Sequence, residues 1–182
     1  LPGQVKLKDI NGDHKLNEED MVLIGRNDPK FIFGFNNNFS YKNFDLNIYM
    51  YGQVGKIAGA NSYYDAWGSY GNRIKLGQNV PVSFKDAWSS DNQTSTRPSF
   101  IESAYGTGDL FLQKISFLRI RNITLGYTVP ISKSICNRLR VYADINNPCV
   151  WSNWKGQDPE TDSNTNAYPN VTSFSIGVDI SF

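Results

Sequence analysis

The sequence predicts an all-β fold of antiparallel strands. Apolar and polar residues alternate in five segments, which gives each segment one apolar and one polar face. Each segment has about the 9–11 residues that a tilted strand needs to cross a membrane. Short and long connections alternate along the chain, as they do in transmembrane barrels. These observations predict part of a transmembrane antiparallel β-barrel, although alternation by itself also fits one sheet of a soluble sandwich.

The composition narrows the class of protein. The chain of 182 residues carries 18 Lys and Arg against 17 Asp and Glu, a net charge of +1, so no basic excess indicates nucleic-acid binding. Aromatic residues reach 14%, and charged residues make up only 19%. No apolar run approaches the roughly 18 residues of a membrane helix. This excludes a helical membrane protein but not a barrel, whose apolar residues are interleaved with polar ones.

The first element is a polar loop, residues 1–30, with an EF-hand-like motif that runs from Asp9 to Asp20. Ca²⁺ prefers six to eight oxygen ligands, which acidic and Asn side chains at alternate positions supply. The predicted ligands are the side chains of Asp9, Asn11, Asp13 and Asp20 and the main-chain carbonyl of Lys15. The motif departs from the template because His14 replaces a glycine and Asp20 replaces a glutamate. We expect a structural Ca²⁺ that braces the loop, and the alternative is a solvated acidic turn.

The next elements form a predicted hairpin. Residues 31–41 place phenylalanines on one face, and residues 44–54 continue the alternation after a short turn at 42–43. The pattern is then lost over residues 55–115, which are rich in Gly, Ser, Asn and Tyr. A structureless connection of this length is unusual in a compact domain and is usually functional.

Three more strands follow the long loop. In the first, the apolar phase shifts by one residue near Arg121 and Asn122, as a β-bulge would cause. A short turn and a second long loop separate the others. The predicted strands are 116–129, 139–149 and 172–182, with the turn at 131–138 and the loop at 150–171.

Three features favour the barrel over the sandwich. One face is rich in Phe, the opposite face carries Asp, Arg and Asn, and aromatic residues cluster near strand ends as membrane girdles do. Five strands cannot close a barrel, because the smallest barrels have eight. The chain must therefore be part of a larger barrel, or the sandwich interpretation is right. In the barrel, residues 1–30 and the two long loops lie outside the cell.

The ordered motifs resemble the C-terminal end of the SusC/RagA family of TonB-dependent outer-membrane transporters. The resemblance covers essentially the whole chain, and its strength lies in the order of the motifs rather than in any one of them. The matching motifs are Pro2-Gly3, Val5 to Asp13, Asp20, Ile24-Gly25, Pro29-Lys30-Phe31, Gly34-Phe35, Ser40 to Leu46, Trp88, Asn92, Pro98, Phe117 to Tyr127, Pro130, Leu139 to Tyr142, Asn146-Asn147, Gly156, Asp158-Pro159-Glu160 and Tyr168-Pro169.

The resemblance implies a role in nutrient import across the cell outer membrane. It implies a plugged barrel of the 22-stranded class, of which these strands would be the last five. Family members import oligosaccharides or peptides with a SusD-like surface lipoprotein as a lid, and TonB supplies energy through an N-terminal part that is absent here. The expected partners are thus the rest of the barrel and plug, the lipoprotein, the TonB complex and outer-membrane lipid, without nucleic acid. The alternative is a soluble, calcium-braced β-sandwich that binds glycans at a cell surface.

The end of the chain carries a second signal. Phe182, with Ile180, Val178 and Ile176 on the same face, resembles the C-terminal signal that the barrel assembly machinery recognises. The alternative is a last sandwich strand that ends on Phe.

Other residues carry less specific expectations. Tyr63, Tyr64, Trp67 and Trp88 are candidates for stacking on sugar rings, as are Trp151 and Trp154, but packing between loops is the favoured interpretation. Asp158 and Glu160 could suggest a glycosidase, yet nothing near them in the sequence would raise a pKa, so no enzyme is expected. Polar-face charges, among them Arg119, Arg121, Asp45, Asp144 and Asp179, are expected to face the lumen. Cys136 and Cys149 bracket one strand and lie too far apart for a disulfide.

Overall fold

The computed structural model describes residues 2–59, 76–77, 79, 82–96, 98–99, 109, 112–131, 136–161 and 167–182. These residues form one antiparallel sheet of five strands in the order β1-β2-β3-β4-β5. The strands are β1 (Phe31–Tyr41), β2 (Phe44–Gly59), β3 (Leu112–Val129), β4 (Arg138–Ser152) and β5 (Ser173–Ser181). Two single-turn 3₁₀ helices lie outside the sheet, at Glu18–Asp20 and Val82–Asp86. Within the described residues, no helix is long and apolar enough to cross a membrane.

Two ends of the sheet can be told apart by their connections. At the turn end, β1 joins β2 through Lys42 and Asn43, and Lys42 takes a left-handed conformation with φ 53°. At the loop end lie the long connections from β2 to β3 and from β4 to β5. The central strands are longer than predicted at this end, because β2 runs on to Gly59 and β3 starts at Leu112.

A bulge explains why the sequence pattern missed the end of β2. The β2–β3 register shifts between Gln53 and Lys56, and Gly55 adopts φ 82°. The shift changes which face each later residue occupies, so alternation no longer continues in phase. The expected bulge near Arg121 is also present. In both ladders of β3 the pairing passes from Ile120 to Asn122 with Arg121 unmatched.

One face of the sheet is apolar from β1 to β5 between the turn end and the Gly55 bulge. Apolar residues stand beside one another across the strands, as Leu46, Leu125, Ala143 and Ile176 do in one row. In β1, Asn37 is the exception to this pattern. The apolar side chains of the two edge strands are exposed, with Phe174 at 75% and Ile176 at 84%, whereas several of those in β2 to β4 are half-buried. A sandwich would cover this face with a second sheet, and the described part of the chain contains none.

The opposite face is polar, and its loop end carries the only buried cluster among the described residues. Ala58, Ile115, Phe117 and Trp154 make up this cluster, with Tyr51 packed against it. Ile115 and Phe117 belong to the polar face because they alternate with Arg119 along β3. Trp154 comes from the segment after β4. Residues 153–161, the first described part of the β4–β5 connection, therefore fold back over the polar face instead of extending away from it.

Candidate functional site

Short polar side chains in the middle rows of the polar face form two hydrogen-bonded groups, one on β1 and β2 and the other on β3 and β4. Asn47 donates to Asn36 at 2.8 Å and to Asn38 at 2.6 Å, which links β1 to β2. Asp144 of β4 accepts hydrogen bonds from Asn122 and Thr124 of β3. Such side-chain ladders hold neighbouring strands in register. They also leave a wettable surface, as the wall of a polar channel requires.

The turn-end cluster is an ion-pair group at the turn end of the polar face, formed by Arg140, Asp45 and Asp179. The Arg140 guanidinium lies 2.6 Å from an Asp45 oxygen and 3.1 Å from an Asp179 oxygen. Arg140 thereby links β4 to β5 and reaches across β3 to β2. Gly126 makes this reach possible, because a Cβ at that position would overlap both Arg140 and Asp45. Asp45 and Asp179 remain 38% and 58% exposed.

The loop-end cluster is a second ion-pair group, formed by Arg119, Arg121, Asp158, Glu160 and Asn170. Arg119 donates to Asp158 at 2.7 Å, and its Nε lies 3.0 Å from Glu160 in a direction that does not make a hydrogen bond. Arg121, the bulged residue, contacts the other Glu160 oxygen at 2.5 Å. Both arginines project from β3, and both carboxylates come from the β4–β5 connection. The cluster therefore pins that connection to the polar face.

Burial separates the loop-end cluster from ordinary surface ion pairs. Arg119 and Asp158 are each only 3% exposed. Burial raises the pKa of Asp158, but backbone N–H groups of Glu160 and Asn170 and the positive charge of Arg119 outweigh it, so the pKa lies below its usual value of 3.8. Asp158 is thus a charged, fully engaged carboxylate, opposite to the raised pKa that a catalytic acid needs.

Asp158 joins the two described halves of the β4–β5 connection. One carboxylate oxygen binds Arg119 and the backbone N–H of Glu160, while the other accepts from Asn170 N at 2.8 Å. The first half is also fixed at its start, because Asn153 accepts a hydrogen bond from Ser116 N at 2.8 Å. Trp154 then packs into the buried cluster, so Trp154 has the packing role that the sequence favoured over sugar stacking.

The predicted calcium ligands lie in one tight loop. Asp9 accepts hydrogen bonds from Gly12 N at 2.7 Å and His14 N at 2.8 Å, and both residues are left-handed, with φ 79° and 62°. Asp20 accepts from Ile10 N at 2.7 Å and Asn17 N at 3.0 Å, which closes the loop. These bonds, with the Ile10 amide first, lower the pKa of Asp20.

The donor set of this loop fits Ca²⁺ in chemistry but is not gathered around one point. Oxygen atoms from Asp, Asn and a backbone carbonyl are the ligands of a hard cation. However, the described residues contain no group of three His, Cys, Asp or Glu side chains arranged to hold a metal. Instead, Asn11 accepts from Asp13 N at 2.9 Å and Asp13 accepts from Lys15 N at 2.8 Å. The carboxylates are thus engaged with the loop's own backbone.

The remaining sequence candidates fall in three places. Trp88 packs over Gly3, where a Cβ would overlap the indole, so this tryptophan holds the first residues of the chain against the segment around position 88. Tyr63, Tyr64 and Trp67 lie outside the described residues. The last strand carries Ile176, Val178 and Ile180 on the apolar face, and Phe182 follows it with 88% exposure. Cys136 and Cys149 are both free.

Aromatic residues occupy both ends of the apolar face. At the turn end, Phe44 and Tyr127 stack with ring centroids 4.7 Å apart, beside Tyr41. At the loop end, Phe31 and Trp151 are 69% and 56% exposed. Two aromatic bands that bracket an apolar face are typical of a membrane-facing sheet.

The pairing in the loop-end cluster is what sequence reasoning missed. Arg119 and Arg121 were expected on the lumen face without a named partner, and the structure pairs them with Asp158 and Glu160. These partners lie far along the chain, beyond any strand or turn periodicity. The only available signal was that both pairs fall within motifs of the same family resemblance.

Comparison with known proteins finds TonB-dependent receptors, and no protein-family model matches the chain. The chain is 28% identical over 201 residues to TonB-dependent receptor P3 of Formosa agariphila, covering 100% of the chain and 19% of the receptor. It is 27% identical over 182 residues to TonB-dependent receptor SusC of Bacteroides thetaiotaomicron, covering 96% and 17%. The solved RagAB peptide transporter matches with a TM-score of 0.75 and 26% identity, over 100% of this chain and 20% of that one. The chain is therefore homologous to these receptors and spans about a fifth of their length.

Proposed function

We propose that this homologue of SusC-type TonB-dependent receptors forms five adjacent strands of the wall of a nutrient importer in the cell outer membrane. The observation that carries the proposal is the two-sided sheet, apolar and exposed on one face and polar and internally hydrogen-bonded on the other. The apolar face meets lipid, and the polar face lines the lumen. The long connections at the loop end lie outside the cell, and the turn end lies in the periplasm.

The free edges of the sheet support membership of a larger barrel. Within the described residues, β1 and β5 each pair on one side only. Unpaired backbone groups cost several kcal/mol each in hydrocarbon, so spanning sheets close on themselves. Strands contributed by the rest of the receptor complete both edges. In the 22-stranded class, β1 to β5 are the last five strands, and the apolar residues up to Phe182 supply the signal for barrel assembly.

The proposal extends to cargo and partners. The homologues are named as receptors or as a peptide transporter. By that homology, this protein imports oligosaccharides or peptides, is not an enzyme, and works with a SusD-like lipoprotein lid, a plug and the TonB complex. Growth of a deletion strain on single oligosaccharide or peptide sources would identify the cargo. If uptake is lost in the deletion strain but persists in a strain that lacks only TonB, then TonB does not supply the energy for import.

A spin-label scan along β5 tests the membrane wall. Labels at Ile176, Val178 and Ile180 should be accessible to oxygen, which partitions into lipid, and not to a water-soluble nickel chelate. Labels at the alternating positions Ser175, Gly177 and Asp179 should show the reverse. A sandwich would protect the first set from both reagents, because a second sheet would cover it. That result would favour the soluble glycan-binding alternative.

We also propose that the loop from Asp9 to Asp20 binds a structural Ca²⁺. Two supports are its oxygen donor set and the tight loop that Asp9 and Asp20 close by accepting backbone hydrogen bonds. Ca²⁺ should slow proteolysis within residues 2–24 of the intact receptor. Asp9→Asn should abolish this protection, whereas the control Asp28→Asn, outside the loop, should retain it. Equal protection in both variants would rule the site out.

A further inference from the structure

A row of short polar side chains crosses all five strands in the middle of the polar face. Its members are paired with one another from strand to strand, and they are Asn38, Asn47, Thr124, Asp144 and Ser175. None of these side chains is buried, and those on the two edge strands are exposed. Because the side chains are short, a covering surface can approach the sheet closely along this row.

Asp144 is the carboxylate of this row, and its partners differ from those of the carboxylates in the two ion-pair clusters. In both clusters each carboxylate contacts an arginine. Within the part of the chain that the structure describes, the partners of Asp144 are neutral. The side-chain amides of Asn122 and Asn146 donate to it, and the Thr124 hydroxyl lies 2.6 Å from one of its oxygens. These contacts orient the carboxylate, but they do not compensate its negative charge.

The charge of Asp144 restricts what can cover the row. An ionised carboxylate that leaves water is strongly disfavoured unless a cation or several strong donors replace the water. The two amides that donate to Asp144 suit an ionised carboxylate, which only accepts hydrogen bonds. A surface that covers Asp144 must therefore bring a positive charge with it.

We propose that the row is a docking surface for the plug of the same receptor, and that a lysine or arginine of the plug pairs with Asp144. The chain spans about a fifth of the length of its relatives, so the plug lies in the part of the receptor outside this chain. The amide and hydroxyl groups of the other row members bind the plug surface around that cation. This inference rests on the proposed importer function, because only a plugged barrel places protein against the polar face.

Photocrosslinking in the full-length receptor tests which surface covers the row. Ser175 is replaced by the photoreactive amino acid p-benzoylphenylalanine, because it is exposed and pairs with Asp144 across the β4–β5 ladder. We expect a crosslink to a plug segment, identified by mass spectrometry after proteolysis. A row without a plug crosslink would be open to water or to cargo, and this result would overturn the proposal.

The same replacement at Ile176 is the matched control. Ile176 is the next residue of β5 and lies on the apolar face, where lipid should leave no protein to crosslink. Protein crosslinks at both positions would indicate a sheet covered on both sides, as in a sandwich. That result would contradict the importer function itself, whereas failure at position 175 alone would contradict only the docking surface.

Asp144→Asn tests the ion pair, because it removes the charge and keeps the shape of the side chain. We expect amide hydrogen exchange in the crosslinked plug segment to accelerate at least about tenfold, as the loss of a bond between charged groups predicts. The control is Asp45→Asn, since Asp45 already pairs with Arg140 within the wall, and it should leave this exchange unchanged. Unchanged exchange in Asp144→Asn, or equal acceleration in both variants, would rule out the ion pair.

A second set of variants keeps the test decisive if Asp144→Asn disturbs the wall itself, which exchange in β3 and β4 would reveal. Each lysine and arginine of the crosslinked plug segment is replaced by methionine, so the wall stays intact. One of these replacements should accelerate exchange as much as Asp144→Asn does, and the two changes together should add nothing further. If no replacement accelerates exchange, the plug supplies no cation to Asp144 and the proposal fails.

Discussion

Both ion-pair clusters of the polar face pair arginine with carboxylates, but they hold different parts of the chain together. In the turn-end cluster, Arg140 joins strands that the backbone ladder already holds together. In the loop-end cluster, Arg119 joins β3 to a connection that no ladder holds. Arg119 and Asp158 are each 3% exposed, whereas Asp179 is 58% exposed. At the loop end, therefore, the attached segment relies more on its ion pair, and the paired side chains are also more deeply buried.

The difference shows where an ion pair determines structure. An exposed pair contributes about 0–1 kcal/mol, and its loss leaves solvated groups behind. Removal of one partner from a buried pair costs about 3–5 kcal/mol, because the other charge stays in a low-dielectric site. We therefore expect the loop-end cluster to decide the position of its segment and the turn-end cluster to adjust only local stability.

Arg119→Met should have the largest effect. Asp158 would remain buried without its cation, and the segment 153–161 would undock to hydrate it. The cost of docking should rise by about 3 kcal/mol, which corresponds to a rise of about 100-fold in amide hydrogen exchange across the segment. Exchange in β1, far from the cluster, is the internal control. Unchanged exchange in residues 153–161 would show that the hydrophobic contacts of Trp154 suffice to hold it.

Gly156→Ala should have the next largest effect, at the same end of the sheet. A Cβ at this position would overlap the Trp154 indole, which cannot move because it packs against Ile115 and Phe117. Overpacking of this kind costs about 1–3 kcal/mol, measured as faster exchange in residues 153–161. Gly34→Ala is the control, since its Cβ would meet only the Tyr49 side chain, with the hydroxyl nearest at 3.3 Å. Equal effects of the two substitutions would argue against a tightly packed segment.

Lowering the pH should weaken the loop-end cluster. The pKa of Asp158 is lower in the folded protein than its usual 3.8, so Asp158 stabilises docking fully above about pH 4. This contribution is lost as the pH falls through the lowered value. Amide hydrogen exchange in residues 153–161, divided by the intrinsic exchange rate at each pH, should therefore be unchanged between pH 7 and pH 5 and should accelerate only below about pH 4. Acceleration already at pH 5 would contradict a lowered pKa, and Asp158→Asn should remove the dependence.

The sheet was far easier to predict than the clusters. Alternation in residues such as Phe33, Phe35 and Phe39 specifies a strand and its faces locally. The phase shift at Arg121 likewise marked a bulge, which the ladders of β3 confirm. By contrast, Gly55 ended the visible pattern in β2, because its bulge exchanged the faces while the strand continued.

The loop-end cluster depends on how a connection folds back in three dimensions. The sequence placed Arg119 and Arg121 on the polar face correctly, but no periodicity relates them to Asp158 and Glu160. The calcium loop is intermediate between these cases. Its backbone turns at Gly12 and His14 follow from local residue types, while the sequence offers only the template match as a reason for its carboxylates to gather around the proposed Ca²⁺.

Arg140→Met should have the smallest effect and would sharpen the comparison most. The Arg140 side chain is 15% exposed, and its carboxylate partners are more exposed than that. In addition, β4 remains paired to β3 and β5 through backbone hydrogen bonds. We expect a loss of about 0.5–1 kcal/mol in barrel stability, measured by unfolding in detergent, with no change in exchange of residues 153–161. A double-mutant cycle with Asp45→Asn would isolate the pairwise contribution of this ion pair. A coupling as large as that from a matching cycle on Arg119 and Asp158 would mean that burial does not distinguish the two clusters.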